Sequence, residues 1–257
     1  MSHVLGSNTK WFFLFVLVLI IIEGIWVYLK RRQQFNLKES LSNTVILIGY
    51  ILSKALTVGY QLAVLRFVSH FAFFHLPENG WVFAISFVAT DFCYYWFHLV
   101  SHHSKFFWAF HLIHHSSKWM NFTTAYRLNW FSALITPYFF IPIVLLGVPP
   151  LYVAISFSFN LIFQLFLHTE AVDKIPLIEG IIDTPAAHRV HHGSNPIYID
   201  KNFGGVFMIW DRMFGTYQAE TEPVEYGIST GFVSHNPFVL VFHGFVDLVR
   251  GKMDYKG

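Results

Sequence analysis

The sequence predicts an all-α integral membrane protein with about four to five transmembrane helices and a histidine-rich helical cap. Three observations carry this. Of 257 residues, 54% are hydrophobic and only 12% charged, where soluble domains carry about 25% charged residues. Five apolar segments approach or reach the length that enters a bilayer. The histidines concentrate in a few short stretches, above all "HLVSHHSKFFWAFHLIHHSS". The formal net charge of +2 gives no nucleic-acid footprint. The single cysteine, Cys93, excludes an internal disulfide and a multi-thiolate metal site.

Each apolar segment has its own signature. Residues 11–29 match the roughly 20 residues that cross a bilayer. Lys30-Arg31-Arg32 follows as a stop flank, with no small-residue cleavage pattern, so a retained span is expected rather than a signal peptide. A second segment covers about residues 44–68 and contains Lys54, and a third covers about residues 81–100. Residues 131–146 and 151–167 are separated only by Gly147-Val148-Pro149-Pro150, which predicts a tight hairpin, spanning or re-entrant. Basic residues favour the cytoplasmic side, so Lys30, Arg31, Arg32 and Lys38 put the first loop in the cytosol. Counting spans from there brings residues 98–115, His168 and the tail to the same side. The expectation is one membrane domain over residues 1–257, in a bacterial inner membrane or the endoplasmic reticulum. Residues 101–130 and 168–257 would form its cytosolic cap.

The histidines form a pattern. His98 and His102 are spaced i, i+4. His111, His114 and His115 are spaced i, i+3, i+4, and His188, His191 and His192 repeat that spacing. Residues at these offsets share a helix face, so each triplet is expected to aim three imidazoles into one volume. His168 adds one more. Imidazole is the commonest metal ligand, and one zinc takes three or four ligands, so nine candidates point to a dimetal site inside the cap. Imidazole suits iron, zinc, copper and nickel alike. His3, His70, His75, His235 and His243 read as ordinary surface or core residues. At about 100° per residue, His102 stays on the His98 face while His103 points away.

Other polar residues accompany the histidines. Asp91, Tyr95, His98 and His102 form one helical stripe, and Asn160, Gln164 and His168 a second. A carboxylate within a span is a functional candidate. Asp91 is expected to orient an imidazole or a bridging water, and the two stripes to line the path of a lipid substrate. Asn121 and Asn202 are further supporting candidates. In "DTPAAHRVHH", Thr184 is a cap and Pro185 fits the first helical position.

Four stretches, "DFCYYWFHLVSHH", "FWAFHLIHHSSKWMNFTTAYR", "FNLIFQLFLHTEAV" and "DTPAAHRVHHGSNPIYIDKNFGGVFMIWDRMFGTYQAE", resemble the fatty acid hydroxylase / sterol desaturase superfamily of membrane di-iron enzymes. The resemblance covers about residues 81–222 and is strongest to the alkylglycerol monooxygenase-like members. It implies two iron ions, molecular oxygen, and hydroxylation or desaturation of a lipid C–H bond. It also implies ligands at His98, His102, His111, His114, His115, His168, His188, His191 and His192. Many sterol-acting members have a histidine where this chain has Asn129, which favours the ether-lipid branch. That branch admits tetrahydrobiopterin as the electron donor, although the chain stops where the animal ether-lipid enzyme continues with more hydrophobic sequence. No P-loop, GxGxxG or haem-attachment motif is present, so reducing power is expected from an electron-transfer partner or a diffusible donor. The rival reading is a di-zinc membrane hydrolase of lipid esters or amides. It lacks the HExxH pattern of the commonest metalloproteases.

Overall fold

The computed structural model describes residues 2–30 and 36–253, with the side chains of residues 2–10, 12 and 13 set aside. Arg31 and Arg32, on which the expected orientation partly rests, lie outside the described residues. Nine α-helices are present among the described residues. They are α1 (Ser2–Lys30), α2 (Leu37–Ser69), α3 (Gly80–His103), α4 (Lys105–His115), α5 (Ile141–Leu145), α6 (Pro150–Leu165), α7 (Pro185–His191), α8 (Ile209–Phe214) and α9 (Pro237–Val249). Strand pairing among them is confined to isolated bridges such as Ile182 with Phe207.

The long helices start where the sequence supplies caps. The Asn36 side chain accepts from the backbone N–H groups of Lys38 and Glu39, and Asn79 accepts from that of Val82. Among the described residues, α2 and α3 are long and apolar enough to cross a membrane. Their 33 and 24 residues correspond to about 50 and 36 Å, against a hydrocarbon core of about 30 Å. Much of α2 presents apolar side chains outward, including Val45, Ile48 and Leu52. Ser104, in an extended conformation, ends α3 and starts α4. That turn folds α4 over the end of the bundle, where it packs on α3 and α9.

The segment expected as a fourth helix, residues 131–146, is not one continuous helix. It forms 3-10 turns at Ser132–Leu134 and Thr136–Phe140 before the short α5. Pro137 and Pro142 remove backbone donors and clash with the preceding turn, which breaks a regular α-helix. The 3-10 form rises about 2.0 Å per residue, so the arm still covers ground. The expected reversal at Gly147 is present. Gly147 has φ +96°, open to glycine, and a Cβ there would meet the Phe74 carbonyl carbon at 2.7 Å. Phe73 N–H donates to Leu145 O at 2.7 Å. The hairpin tip therefore reaches the α2–α3 turn, at the end of the bundle away from α4. α6 returns about 24 Å toward the cap.

Buried charges fasten the cap to the bundle. Arg127, 1% exposed, pairs through Nη2 with Glu39 of α2 at 3.2 Å. It also donates to Asn43 Oδ1 (2.7 Å) and Ser116 Oγ (2.8 Å). Ser117 donates to the same Glu39 carboxylate. On α1, Glu23 accepts from Phe122 N–H at 2.7 Å and from the Thr169 hydroxyl. Two carboxylates on neighbouring helices thus hold residues 116–127 and 169 over the bundle end. Removing one partner of a buried pair costs about 3–5 kcal/mol, because the other charge is left uncompensated. Arg127→Met is expected to lower stability by that order in a detergent unfolding titration. Adding Glu39→Gln should recover part of the loss.

Candidate metal centre

Nine imidazoles converge where α3, α4, α7 and the chain after α6 meet. They sort into two groups. His98, His102, His111, His115 and His191 form one; His114, His168, His188 and His192 form the other. Within each group the ligand atoms lie within 4.8 Å of one another. The two triplets do not each serve one volume, as the spacing alone suggests. From His111, His115 is rotated about 40° one way and His114 about 60° the other, so the triplet straddles the boundary. His188, His191 and His192 divide in the mirrored sense, with the i, i+4 pair in the second group. The stacked rings of His115 and His192, 4.5 Å apart, mark the boundary. His103 joins neither group. Its side chain is 47% exposed, with Nδ1 3.9 Å from Asp200.

The hydrogen bonds decide what the inward nitrogens carry. His98 Nδ1–H donates to Phe203 O (2.9 Å), His191 Nδ1–H to Lys201 O (3.0 Å) and His168 Nδ1–H to Gln164 O (2.8 Å). A carbonyl only accepts, so each of these Nδ1 atoms holds its ring's proton, and in a neutral ring Nε2 is then a bare lone pair. Yet His98 Nε2 faces His111 Nε2 at 3.0 Å, and His168 Nε2 faces both His114 Nε2 (3.2 Å) and His188 Nε2 (3.1 Å). Buried Nε2 atoms of His102, His191 and His192 have no hydrogen-bond partner. Burial holds the His168 and His191 imidazoles down to about 4. Burial, reinforced by neighbouring imidazoles, pushes His111, His114, His115, His188 and His192 well below their usual value. Protonation therefore does not fill these positions near neutral pH.

A metal cation in each group would satisfy the lone pairs. Metal–imidazole bonds of about 2.0–2.1 Å place neighbouring ligand nitrogens about 2.9–3.4 Å apart, which matches the spacings above. His188 Nδ1 lies 3.2 Å from Asp183 Oδ2. Burial raises that carboxyl well above the usual range. A cation on the far side of the ring favours the carboxylate–imidazole arrangement that commonly orients metal ligands.

A loop after α7 supplies two of these outer contacts, Lys201 O and Phe203 O. Asp200 and Asn202 have φ of 57° and 58°, a left-handed conformation that these two residue types tolerate. Asn202 Nδ2 donates to Ala187 O (2.9 Å) and Gln218 O (2.8 Å), and Asn202 Oδ1 accepts from Gln218 N–H (2.8 Å). Asp211 accepts from Phe203 N–H (2.7 Å) and Gly204 N–H (2.8 Å). Asp91 accepts from Val206 N–H (2.8 Å), Phe207 N–H (3.2 Å), Trp210 Nε1–H (2.8 Å) and Asn160 Nδ2–H (2.6 Å). Asp91 thus clamps the loop that holds His98 and His191; it touches no imidazole directly. Thr184 caps α7 by accepting from Ala187 N–H, with Pro185 in the first turn, as its sequence predicts.

A cavity of about 490 Å3 opens beside both groups, touching His111 of one and His114 and His168 of the other. Its wall is mostly apolar and runs between α1, α2, α3 and α6. Of the six supporting candidates, only Gln164 lines it. Asp91 and Asn160 lie behind the wall, Tyr95 turns its hydroxyl to Thr216 (3.1 Å), and Asn121 accepts from Thr123. Of the expected path along Asp91 and the Asn160–Gln164 stripe, only Gln164 faces the cavity; beside it stands Tyr94, whose hydroxyl donates to Gln164 Oε1 at 2.9 Å. A one-residue step turns a helix by about 100°, which separates the Tyr94 cavity face from the Tyr95 loop face. Residue pattern gives no sign of which face meets the cavity, since both are apolar and aromatic.

Ligand and non-ligand histidines separate experimentally. His102→Ala is expected to lower retained metal from about two ions per chain toward one after chelator dialysis. His103→Ala should retain both. Elemental analysis reads the difference, and metal loss from His103→Ala alone would show that the register is wrong.

Comparison with known proteins agrees with this geometry. The sequence profile of the fatty acid hydroxylase family matches residues 83–216, just over half of the chain. Alkylglycerol monooxygenase from Xenopus tropicalis is 34% identical over 232 residues, covering 90% of this chain and 51% of that protein. The Danio rerio enzyme of the same name is 42% identical over 161 residues, covering 62% and 36%. A Delta(7)-sterol 5(6)-desaturase from Gibberella zeae is 25% identical over 224 residues, covering 81% and 61%. The chain spans about half the length of the alkylglycerol monooxygenases it matches. No solved structure matches significantly. The profile match takes in all nine converging histidines, and by it the chain belongs to the fatty acid hydroxylase family.

Proposed function

We propose that this chain is a multi-pass membrane di-iron oxygenase that hydroxylates or desaturates a lipid C–H bond with molecular oxygen, with an ether lipid of the alkylglycerol type as substrate. The observation that carries the reading is the meeting of two all-imidazole groups with one largely apolar cavity at His111, His114 and His168. The nine clustered histidines would hold two iron ions, which supply activation of dioxygen. The similarity to alkylglycerol monooxygenases supports the substrate class. The whole forms one membrane domain whose histidine end faces the cytosol. Electrons come from a partner protein or a diffusible reductant, with tetrahydrobiopterin a candidate by similarity.

The residues have separable tasks. The apolar walls of α1, α2 and α6 hold an alkyl chain and keep water from it. Tyr94, fixed by Gln164, borders the cavity one turn from His98 and positions the chain against the histidines. Asn129, also on the cavity wall, has its Nδ2 bonded to Val241 O (3.1 Å) and shapes that side. The loop at 200–206 keeps the imidazole protons on the outer nitrogens, so the inner ones stay available to metal.

The purified protein, reconstituted with iron and a reductant, is tested on alkylglycerols with and without oxygen. Oxygen-dependent product formation is expected. Oxygen-independent ester or amide cleavage by a zinc-loaded protein, with no turnover by the iron-loaded one, would overturn the reading. In the active protein, Tyr94→Phe should retain metal and lower kcat/KM about fivefold, the worth of one net hydrogen bond of ~1 kcal/mol. An unchanged kcat/KM would remove Tyr94 from substrate positioning.

A further inference from the structure

Helix α9 has one apolar face more than its packing uses. At about 100° per residue, Leu240, Val241 and Gly244 share the face turned to the protein, and all are buried. Gly244 allows a close approach: a Cβ there would meet the Ala109 carbonyl oxygen of α4 at 2.6 Å. A second face carries Phe238, Val239, Phe242, Val246 and Val249, exposed by 61, 44, 41, 41 and 88%. The polar strip between the faces turns its charged groups on each other and on a neighbouring ring. His243 Nε2 lies 3.3 Å from Asp247, and its ring stacks on Phe232 at 3.6 Å. A soluble cap helix needs one apolar stripe; a second, outward one needs an apolar medium.

The surroundings of that outer face identify the medium. Phe238 packs edge-on against Trp130 (5.6 Å), and Trp130 Nε1 donates to Ile46 O of α2 at 2.9 Å. The exposed stripe therefore continues into the outward apolar surface of α2 at Val45 and Ile48. α9 also packs on α4, which leaves α3 through the single residue Ser104. The helix ends in exposed Arg250 and Lys252, cations suited to a headgroup layer. The inner side of α9 meets the cavity wall through Phe110, 4.8 Å from Phe245, and through Asn129.

We propose that α9 is an interfacial helix that lies in the lipid headgroup–acyl boundary at the histidine end of the bundle. Its Phe238–Phe242–Val246–Val249 stripe is immersed in lipid, so that it forms the sill of the cavity. This rests on the reading of the chain as a membrane protein. A helix with its apolar side sunk into the acyl boundary and cations at its end is the physical form expected. Lipid chains then reach the cavity sideways, past Phe110 and Asn129, without leaving the bilayer.

The test uses the full chain in nanodiscs of phosphatidylcholine and phosphatidylglycerol. Nitroxides are placed at Phe242→Cys and Val246→Cys in a Cys93→Ala background, with Leu52→Cys on α2 as the membrane reference and Ala219→Cys on the cap as the water reference. Labels at 242 and 246 are expected to be relaxed by oxygen and shielded from a water-soluble nickel chelate, at a depth shallower than 52. Nickel access at 242 and 246 equal to that at 219, with 52 shielded, overturns the proposal while leaving the membrane reading intact. Nickel access at 52 contradicts the membrane reading itself. Photolabelling of the unsubstituted chain by a diazirine-tailed phosphatidylcholine supplies an independent arm. Adducts on residues 238–249 support the proposal, and adducts on α2 with none on α9 reject it.

Discussion

Lone pairs on buried nitrogens repel one another, and in this protein the fold forces them together. Three rings, His98, His168 and His191, give their only proton to backbone carbonyls, so their inner nitrogens are bare. Other imidazole nitrogens approach His98 and His168 to about 3 Å. Protonation would relieve the repulsion, but burial opposes it. A bound cation is the remaining remedy, and a divalent metal at imidazole bonding distance fits the spacing. The rest of the architecture is arranged around this need. α3 and α4 meet at a sharp turn so that two i, i+4 pairs face each other. α7 is short and capped by Thr184 ahead of its histidines, and the chain leaving α6 carries His168 to the second group.

The polar residues that look functional in the sequence divide into those that hold the ligands and those that hold the ligand holders. Asp91 and Asn202 belong to the second kind, and Asp211, which no sequence pattern singles out, joins them in the structure. Each accepts or donates to backbone groups of residues 187–218, and none reaches the imidazoles. Asp91 is buried in the long apolar helix α3, yet its charge is spread over four donors. This is how a carboxylate persists in an apolar setting. Glu23 and Glu39 do the same work for the other half of the cap.

The nine histidines, the α7 cap and the long apolar helices are legible in the sequence because each depends on local spacing. So is the exclusion of His103, which needs only the 100° step along α3. The division of the triplets is legible in part. The angles show that His114 and His115 diverge, but which neighbour each meets is set by packing between helices far apart in the chain. The Arg127–Glu39 pair joins residues 88 positions apart, and no local pattern announces it. Glu23 carries a fainter signal, since an acid within an apolar run is itself unusual. Residues 131–146 mislead because hydropathy ignores Pro137 and Pro142, whose cost falls on the backbone. Tyr94 and Tyr95 are chemically alike, so only the three-dimensional position of the cavity distinguishes them.

X-ray absorption of the purified protein at the metal edge reads directly whether the converging imidazoles hold metal. A metal held by these imidazoles gives nitrogen-dominated coordination at about 2.0–2.2 Å, strong imidazole multiple scattering worth about four imidazoles per metal, and no sulfur. Carboxylate-oxygen coordination with one imidazole or none per metal would contradict that reading, because the converging histidines would then be serving some other purpose.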